Sequence, residues 1–367
     1  MWNLDKALTI GLAVSLCSAI AVQAKTDDTP KKDAVPITST KGVYTMEGLP
    51  DSGPEIEENR AEIDKVSKSN PSSRFLIDSN TLWLPGQTLT VAFNEGSDPQ
   101  WQADVANTAV EWCKYGNIFF DFGYDASTGR YREWSTSDVE HAADIRITFN
   151  GGGYSSQIGT NSRYAVPANA HSMVLGDSNR NLPNYWRRHI LHEFGHALGF
   201  YHEHVNPVQT CDFKWADDPG YQPTTDSYGQ FVTDSFGRRP GVYTVFGGPP
   251  NRWSKQKVDT NLRFNLNSDS AGYIVSPADR NSIMHYHFDP MILVKGEFSP
   301  CNIQEAFDLS EKDKVGMDKA YPQSARGLKS PKDVRKEQLK QLTEMPGIPA
   351  AMKAKFELQL KSLNSAK

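Results

Sequence analysis

The run His192-Glu193-Phe194-Gly195-His196-Ala197-Leu198-Gly199-Phe200-Tyr201-His202-Glu203 constrains this chain more than any other stretch of it. Histidines four apart on a helix project from one face, so His192 and His196 can grip a single metal ion. Glu193, beside the first of them, is positioned to reach a water at the metal rather than the metal itself. Gly199 carries no Cβ penalty at positive φ and can turn the chain sharply, bringing His202 back as a third nitrogen ligand. Three protein ligands leave a fourth position open, the arrangement of a catalytic zinc and not of a structural one. A bare H-E-x-x-H arises by chance. Requiring Gly199 and His202 as well, in a chain of 9 His and 27 Gly, lowers that chance about 500-fold.

The rest of the composition fits an ordinary catalytic chain. In 367 residues, 38% hydrophobic with 8 Trp, 14 Tyr and 17 Phe, there is enough apolar material for one substantial domain with extra segments, or for two small ones. A net charge of −5 argues against nucleic acid as the main partner. Residues 1–24 read as a secretory signal: Lys6, an apolar run from Ala7 to Val22, then the small-residue cleavage site Val22-Gln23-Ala24. The run is short for a membrane span and lacks a charged stop-transfer flank. Lipidation at Cys17 is disfavoured by Leu16, which stands where a small residue is needed. The mature protein is therefore expected to be secreted, or periplasmic or extracellular, after removal of the signal, with no stable membrane insertion. Export permits disulfides, and a Cys211–Cys301 bridge is expected, with Cys113 a buried thiol in an apolar helical pattern.

Residues 25–74 are rich in Lys, Asp, Glu, Pro and Ser and read as a prosegment or a disordered linker. They contain no cysteine that could plug a metal site; Asp51 in Gly48-Leu49-Pro50-Asp51 offers a carboxylate for that role. Order is expected from Phe75. Leu89–Phe93, Ile118–Phe122 and Ala143–Phe149 read as strands. Asp98-Pro99 opens a helix whose face of Trp101, Val105, Thr108, Ala109 and Trp112 runs to a stop at Gly116. Gly151-Gly152-Gly153 is not followed by G-K-[ST], so phosphate binding is a poor reading. Ser172–Gly176 is expected to be an edge strand able to accept an extended peptide as one more strand. The active helix should run over 184–198, with Ile190, Phe194, Ala197 and Leu198 packing opposite the metal face; His189 and His204 are expected to be structural or exposed.

From Asn206 to Asp279 the chain is loop-like, either a substrate-shaping insertion or a surface excursion, and long enough to conceal structure of its own. Asn281-Ser282-Ile283-Met284-His285-Tyr286 follows. After an extended zinc motif, a methionine in a tight turn beneath the three imidazoles is the expected second half of the site. Ser310-Glu311-Lys312-Asp313 forms a capping-box start to a helix reaching Tyr321, and the catalytic domain is expected to span 75–322. Residues 323–367 form a basic tail of two short helices. From Arg326 onward it carries ten Lys/Arg against four Asp/Glu, which is 10 − 4 = +6. Packing or solvation is the expected role, ahead of contact with a membrane surface.

With His192–Glu203 and Ser282–Tyr286 together in one chain, the sequence resembles the astacin family of metzincin endopeptidases. Glu203 directly after the third histidine and the Ser282-Ile283-Met284-His285-Tyr286 turn carry the likeness. Leu82–Gly86, Asp144–Phe149, Tyr154–Gly159 and Leu309–Tyr321 support it, so that it covers roughly 75–322 and is patchy between 206 and 279. The resemblance implies an α+β, metzincin-type two-subdomain zinc protease. A twisted, mostly parallel sheet with two long helices would lie above the cleft, and an irregular C-terminal subdomain with the Met-turn below. It further implies one catalytic Zn2+ on His192, His196 and His202, with Glu193 as acid/base. Tyr286 would be the tyrosine that can contact zinc at rest and swing away to bind the transition state. The expected substrate is a polypeptide in extended conformation. The chain departs from the family in having His204-Val205-Asn206-Pro207 after Glu203, a longer interval from His202 to Met284, and too few cysteines for a second disulfide. The rival from another class is a secreted binding or adhesion protein with purely structural zinc; the retained Glu193 argues against it.

Overall fold

The computed structural model describes residues 77–151, 153–176, 183–205, 211–263, 273–274, 279–345, 348 and 350–365. The signal, the prosegment with Asp51, and the start of order at Phe75 lie outside them. In chain order the elements are β1 Ile77–Asp78, β2 Thr88–Asn94, α1 Pro99–Ala109, β3 Phe119–Asp121, β4 Glu133–Trp134, β5 Ile145–Thr148, β6 Tyr154–Ser156, α2 Asn161–Tyr164, β7 Met173–Leu175, α3 Pro183–Ala197, α4 Val242–Gly247, α5 Lys255–Leu262, β8 Tyr273–Ile274, α6 Glu311–Ala320, α7 Pro331–Thr343 and α8 Ala350–Ser365.

The main sheet runs β3-β2-β5-β7-β6, with β4 also pairing β2. Every pairing in it is parallel except β6 on β7. This is the α+β, mostly parallel architecture expected. Parallel strands are covered on both faces and read as continuous apolar runs, and all four residues of β5 are buried. One of them is Arg146, whose guanidinium donates to the carbonyls of Ala143, Val166, Pro167 and Ala170. Burial brings it down to about 10.

Two expectations need correction. First, the strand before the active helix is not the edge. Gly151 and Gly153 let the chain reverse: they take φ of 139° and 87°, and Gly176 N–H donates to Gly153 O at 2.9 Å. Tyr154–Ser156 then folds back antiparallel on β7, so β6 is the outer strand and β7 lies inside. Second, α1 begins at the expected Asp98 cap, whose carboxylate accepts from Gln100 N–H, but ends at Ala109. Trp112–Lys114 continues as a 3-10 turn, which sends the Trp112 indole N–H to Leu191 O of α3 at 2.9 Å. Gly116 is needed for close approach instead of as a stop: a Cβ there would come 3.0 Å from Met317 Cγ and 3.2 Å from Tyr321 Cβ.

Among the described residues two large apolar cores result, beside a small cluster of Ala92, Trp134 and Ala143. The upper one gathers the sheet, α1, the packing face of α3 and Met317, Ala320 and Tyr321 of the α6 end. Ile190, Phe194, Ala197 and Leu198 are each fully buried in it. Leu339, Leu342, Met345, Met352 and Phe356 of the basic tail belong to the same core, and Gln338 donates to both Trp83 O and Ala320 O. The lower core gathers Phe213, Val242, Phe246, Val258, Leu262, Tyr286, Phe288, Ile292, Leu293 and Cys301. The stretch read as loop-like thus contains α4 and α5, and its turns are organised by aspartates. Burial alone would raise Asp234, but the N–H groups of Gln222, Arg238 and Phe236 and the Arg238 guanidinium bring it down to about 2. The Cys211–Cys301 disulfide is formed and Cys113 is buried. Among the described residues, no helix is long and apolar enough to cross a membrane.

Candidate metal centre

The C-terminus of α3 builds the site. Its last carbonyls would be orphaned in an isolated helix. Here Phe200 N–H donates to Gly195 O at 3.0 Å and Gly199 N–H to His196 O at 2.8 Å, with Gly199 at φ 96°. That pair of bonds is a Schellman ending, which needs a left-handed residue after the cap. Ala197 O accepts the Trp83 indole N–H at 2.8 Å, and Leu198 O accepts the Tyr321 hydroxyl at 2.8 Å. The helix end is therefore closed, and the reversal at Gly199 swings His202 back over the helix face.

Ligand atoms of His192, His196 and His202 lie within 4.8 Å of one another, and all three residues are buried. Tetrahedral zinc with Zn–N of roughly 2.0–2.1 Å needs its nitrogens about 3.3 Å apart, so a small adjustment suffices. The tautomers follow from backbone acceptors. His192 Nδ1 donates to Ile283 O and His196 Nδ1 to Phe200 O, each at 2.8 Å, leaving Nε2 on each ring with its lone pair, as a metal ligand requires. His202 Nε2 lies 2.9 Å from His196 Nε2 and 2.7 Å from the Tyr286 hydroxyl. Burial and the neighbouring imidazoles hold His202 well below its ordinary range, so it is neutral near pH 7. The donor set fits zinc. Glu193 is fully buried on the turn between His192 and His196.

The turn Ser282–Tyr286 spans both cores: Ile283 and Met284 lie in the upper one, Tyr286 in the lower. Met284 packs under α3, where a Cβ on Gly195 would overlap its sulfur. Its carbonyl accepts from Glu203 N–H at 2.9 Å. Asp313 takes the Ser282 hydroxyl at 2.6 Å and the Ile283 N–H at 2.9 Å while closing the capping box with Ser310. Glu203, buried, accepts from Asp279 N–H at 3.2 Å.

The structure thus places His192, Glu193, His196, His202, Met284 and Tyr286 in one region, while Asp51 lies outside the described residues. His189 and His204 are structural and buried. His189 stacks on Tyr154 at 3.8 Å; His204 stacks on Tyr286 at 4.5 Å and donates to Asn261 O. The supporting role of Asp313 is not legible in the sequence. Its capping box was visible, but its grip on a turn thirty residues upstream leaves no local pattern.

No family model matches the chain, and no curated protein matches it by sequence. Among solved structures it is similar to myroilysin, at 28% identity over 68% of this chain and 98% of that one, with a TM-score of 0.50. A second structure of myroilysin aligns at 26% identity over 75% and 100% of the two chains, TM-score 0.42. High choriolytic enzyme 1, a hatching enzyme zinc-protease from Oryzias latipes (medaka fish), aligns at 15% identity over 67% and 97%, TM-score 0.34.

Proposed function

We propose that this chain, which by its fold belongs to the astacin family of zinc metalloendopeptidases, hydrolyses peptide bonds of extended polypeptides at one zinc ion held by His192, His196 and His202. One observation carries the reading above the others. Three buried imidazoles converge from α3 and the turn after it, with a fully buried glutamate between the first two. A purely structural site has no use for that carboxylate.

Zinc, when bound, polarises the scissile carbonyl and makes water a better nucleophile at neutral pH. Glu193 accepts the proton of the attacking water and later delivers it to the departing amine. Tyr286 donates a hydrogen bond to the oxyanion as charge develops there. Met284 supports the ligands from below without binding metal. The backbone of β6, the outer strand of the sheet, offers an extended substrate one more strand to pair with, so cleavage should improve as peptides lengthen. Export through residues 1–24 and removal of 25–74 complete the reading. Both are checked by N-terminal sequencing of the mature form.

The decisive experiment compares wild type with Glu193→Ala. The variant should hold its zinc and lose nearly all cleavage of casein; wild-type cleavage by the purified, zinc-loaded variant would falsify the mechanism. Tyr286→Phe should lower kcat much more than it alters zinc content or KM.

A further inference from the structure

The lower core contains a second donor set that this chemistry leaves unused. A ring nitrogen of His285 and the sulfurs of Cys211 and Cys301 lie within 4.8 Å of one another. His285 and Cys301 are buried and Cys211 is half-buried. His285 Nδ1 donates to Tyr286 O at 2.7 Å. The other nitrogen, Nε2, is therefore the lone-pair atom, and it is buried with no hydrogen-bond partner. A neutral imidazole fixed in this way is what a metal takes as a ligand.

The two cysteines are also held together by more than their own bond. Lys214 N–H donates to Ile292 O at 2.8 Å and Val294 N–H to Asp212 O at 2.7 Å. The Asp212 carboxylate accepts from Lys295 N–H at 2.8 Å and from the Ser299 hydroxyl, and that hydroxyl accepts from Cys301 N–H at 3.1 Å. These bonds tie the segment after Cys211 to the segment before Cys301 independently of the disulfide.

We propose that Cys211, Cys301 and His285 form a second, thiolate-containing metal site that exists only when the disulfide is reduced. A dithiol or phosphine reductant supplies two electrons, the S–S bond breaks, and two thiols form. Metal binding then displaces two thiol protons, giving two thiolates and one neutral imidazole. Such a donor set selects soft or borderline ions, Zn2+, Cd2+ or Cu+, over hard ones. The disulfide and the metal are mutually exclusive occupants of one place. Reduced chain captures the ion; a disulfide oxidant, itself reduced to two thiols, takes back the two electrons as the sulfurs join, and the ion leaves.

Cobalt(II) distinguishes this site from the three-histidine one, because only thiolate ligands give charge-transfer absorption in the near ultraviolet. Full-length mature protein, reduced with a phosphine, should bind one more equivalent of cobalt than the oxidised protein and show the band. Cys113→Ser should keep it, Cys301→Ser should lose most of it, and His285→Ala should weaken the second equivalent at least tenfold. The melting temperature covers the case in which reduction loosens the fold: Cd2+ should then raise it more for reduced protein than for oxidised. Reduced protein that shows neither the band nor this extra thermal gain overturns the proposal. So does a His285→Ala variant that binds the second equivalent as tightly as wild type.

Discussion

Gly195 lies in the interior of α3, where glycine normally costs roughly 0.5–1 kcal/mol relative to alanine. On propensity alone Gly195→Ala would stabilise the chain. A Cβ there would overlap Met284 Sδ and come within 3.1 Å of Trp112 Cζ2, and overpacking a well-packed core costs about 1–3 kcal/mol. The clash wins, so Gly195→Ala should lower the urea midpoint and, by pushing on the turn at Met284, reduce casein cleavage. Two buried groups at that turn, His285 within it and Asp313 holding it from α6, titrate with opposite sign. Burial pushes His285 down to about 4; its contribution is full above its ordinary 6.5 and is lost as pH falls toward 4. Burial pushes Asp313 up to about 6 against its hydrogen bonds; its contribution is full below its ordinary 3.8 and is lost as pH rises through 6. Urea midpoints across this range should fall less on acidification in His285→Gln than in wild type, and Asp313→Asn should lose the component that declines toward neutrality. The three converging histidines were legible at this scale because helical spacing and a glycine encode them locally. The acceptors that fix their tautomers, Ile283 O and Phe200 O, are backbone atoms with no sequence signature.

Among elements, the parallel strands, the capped start of α1, the active helix and the capping box of α6 could be read from apolar runs and cap residues. Which strand lies outermost could not: β7 is as apolar as an edge strand can be, and its position depends on a reversal at Gly151 and Gly153 that local pattern does not reveal. The helices α4 and α5 were hidden for a related reason. Six and eight residues long, they are too short for a periodic signal to rise above the surrounding turns. The C-terminus of α3 also relies on distant donors, the Trp83 indole and the Tyr321 hydroxyl. Tyr321→Phe leaves Leu198 O buried without that donor, at a cost of about 1–3 kcal/mol. It should appear as a lower melting temperature, with zinc affinity falling because the Gly199 reversal loosens.

Across the whole molecule, packing ignores residue 322. Burying a Leu, Met or Phe side chain is worth roughly 1.5–3 kcal/mol, so the five tail residues in the upper core contribute about 10 kcal/mol gross, comparable to the total stability of many domains. Removing 326–367 should therefore yield a chain that unfolds or aggregates, not a leaner protease; far-UV circular dichroism and casein cleavage of the shortened chain check this. The periodic apolar residues of the tail were readable, but not the surface they would cover, since Trp83 and Gln338 are 255 positions apart. The Gln338 carboxamide, bridging Trp83 O and Ala320 O, has a consequence for descent. A recombination event that joined this fold to a different C-terminal segment would have to supply both hydrogen bonds and the same apolar face. Swapping the tail therefore exchanges part of the core itself, and only a segment with a matching face and a carboxamide at that point could take its place.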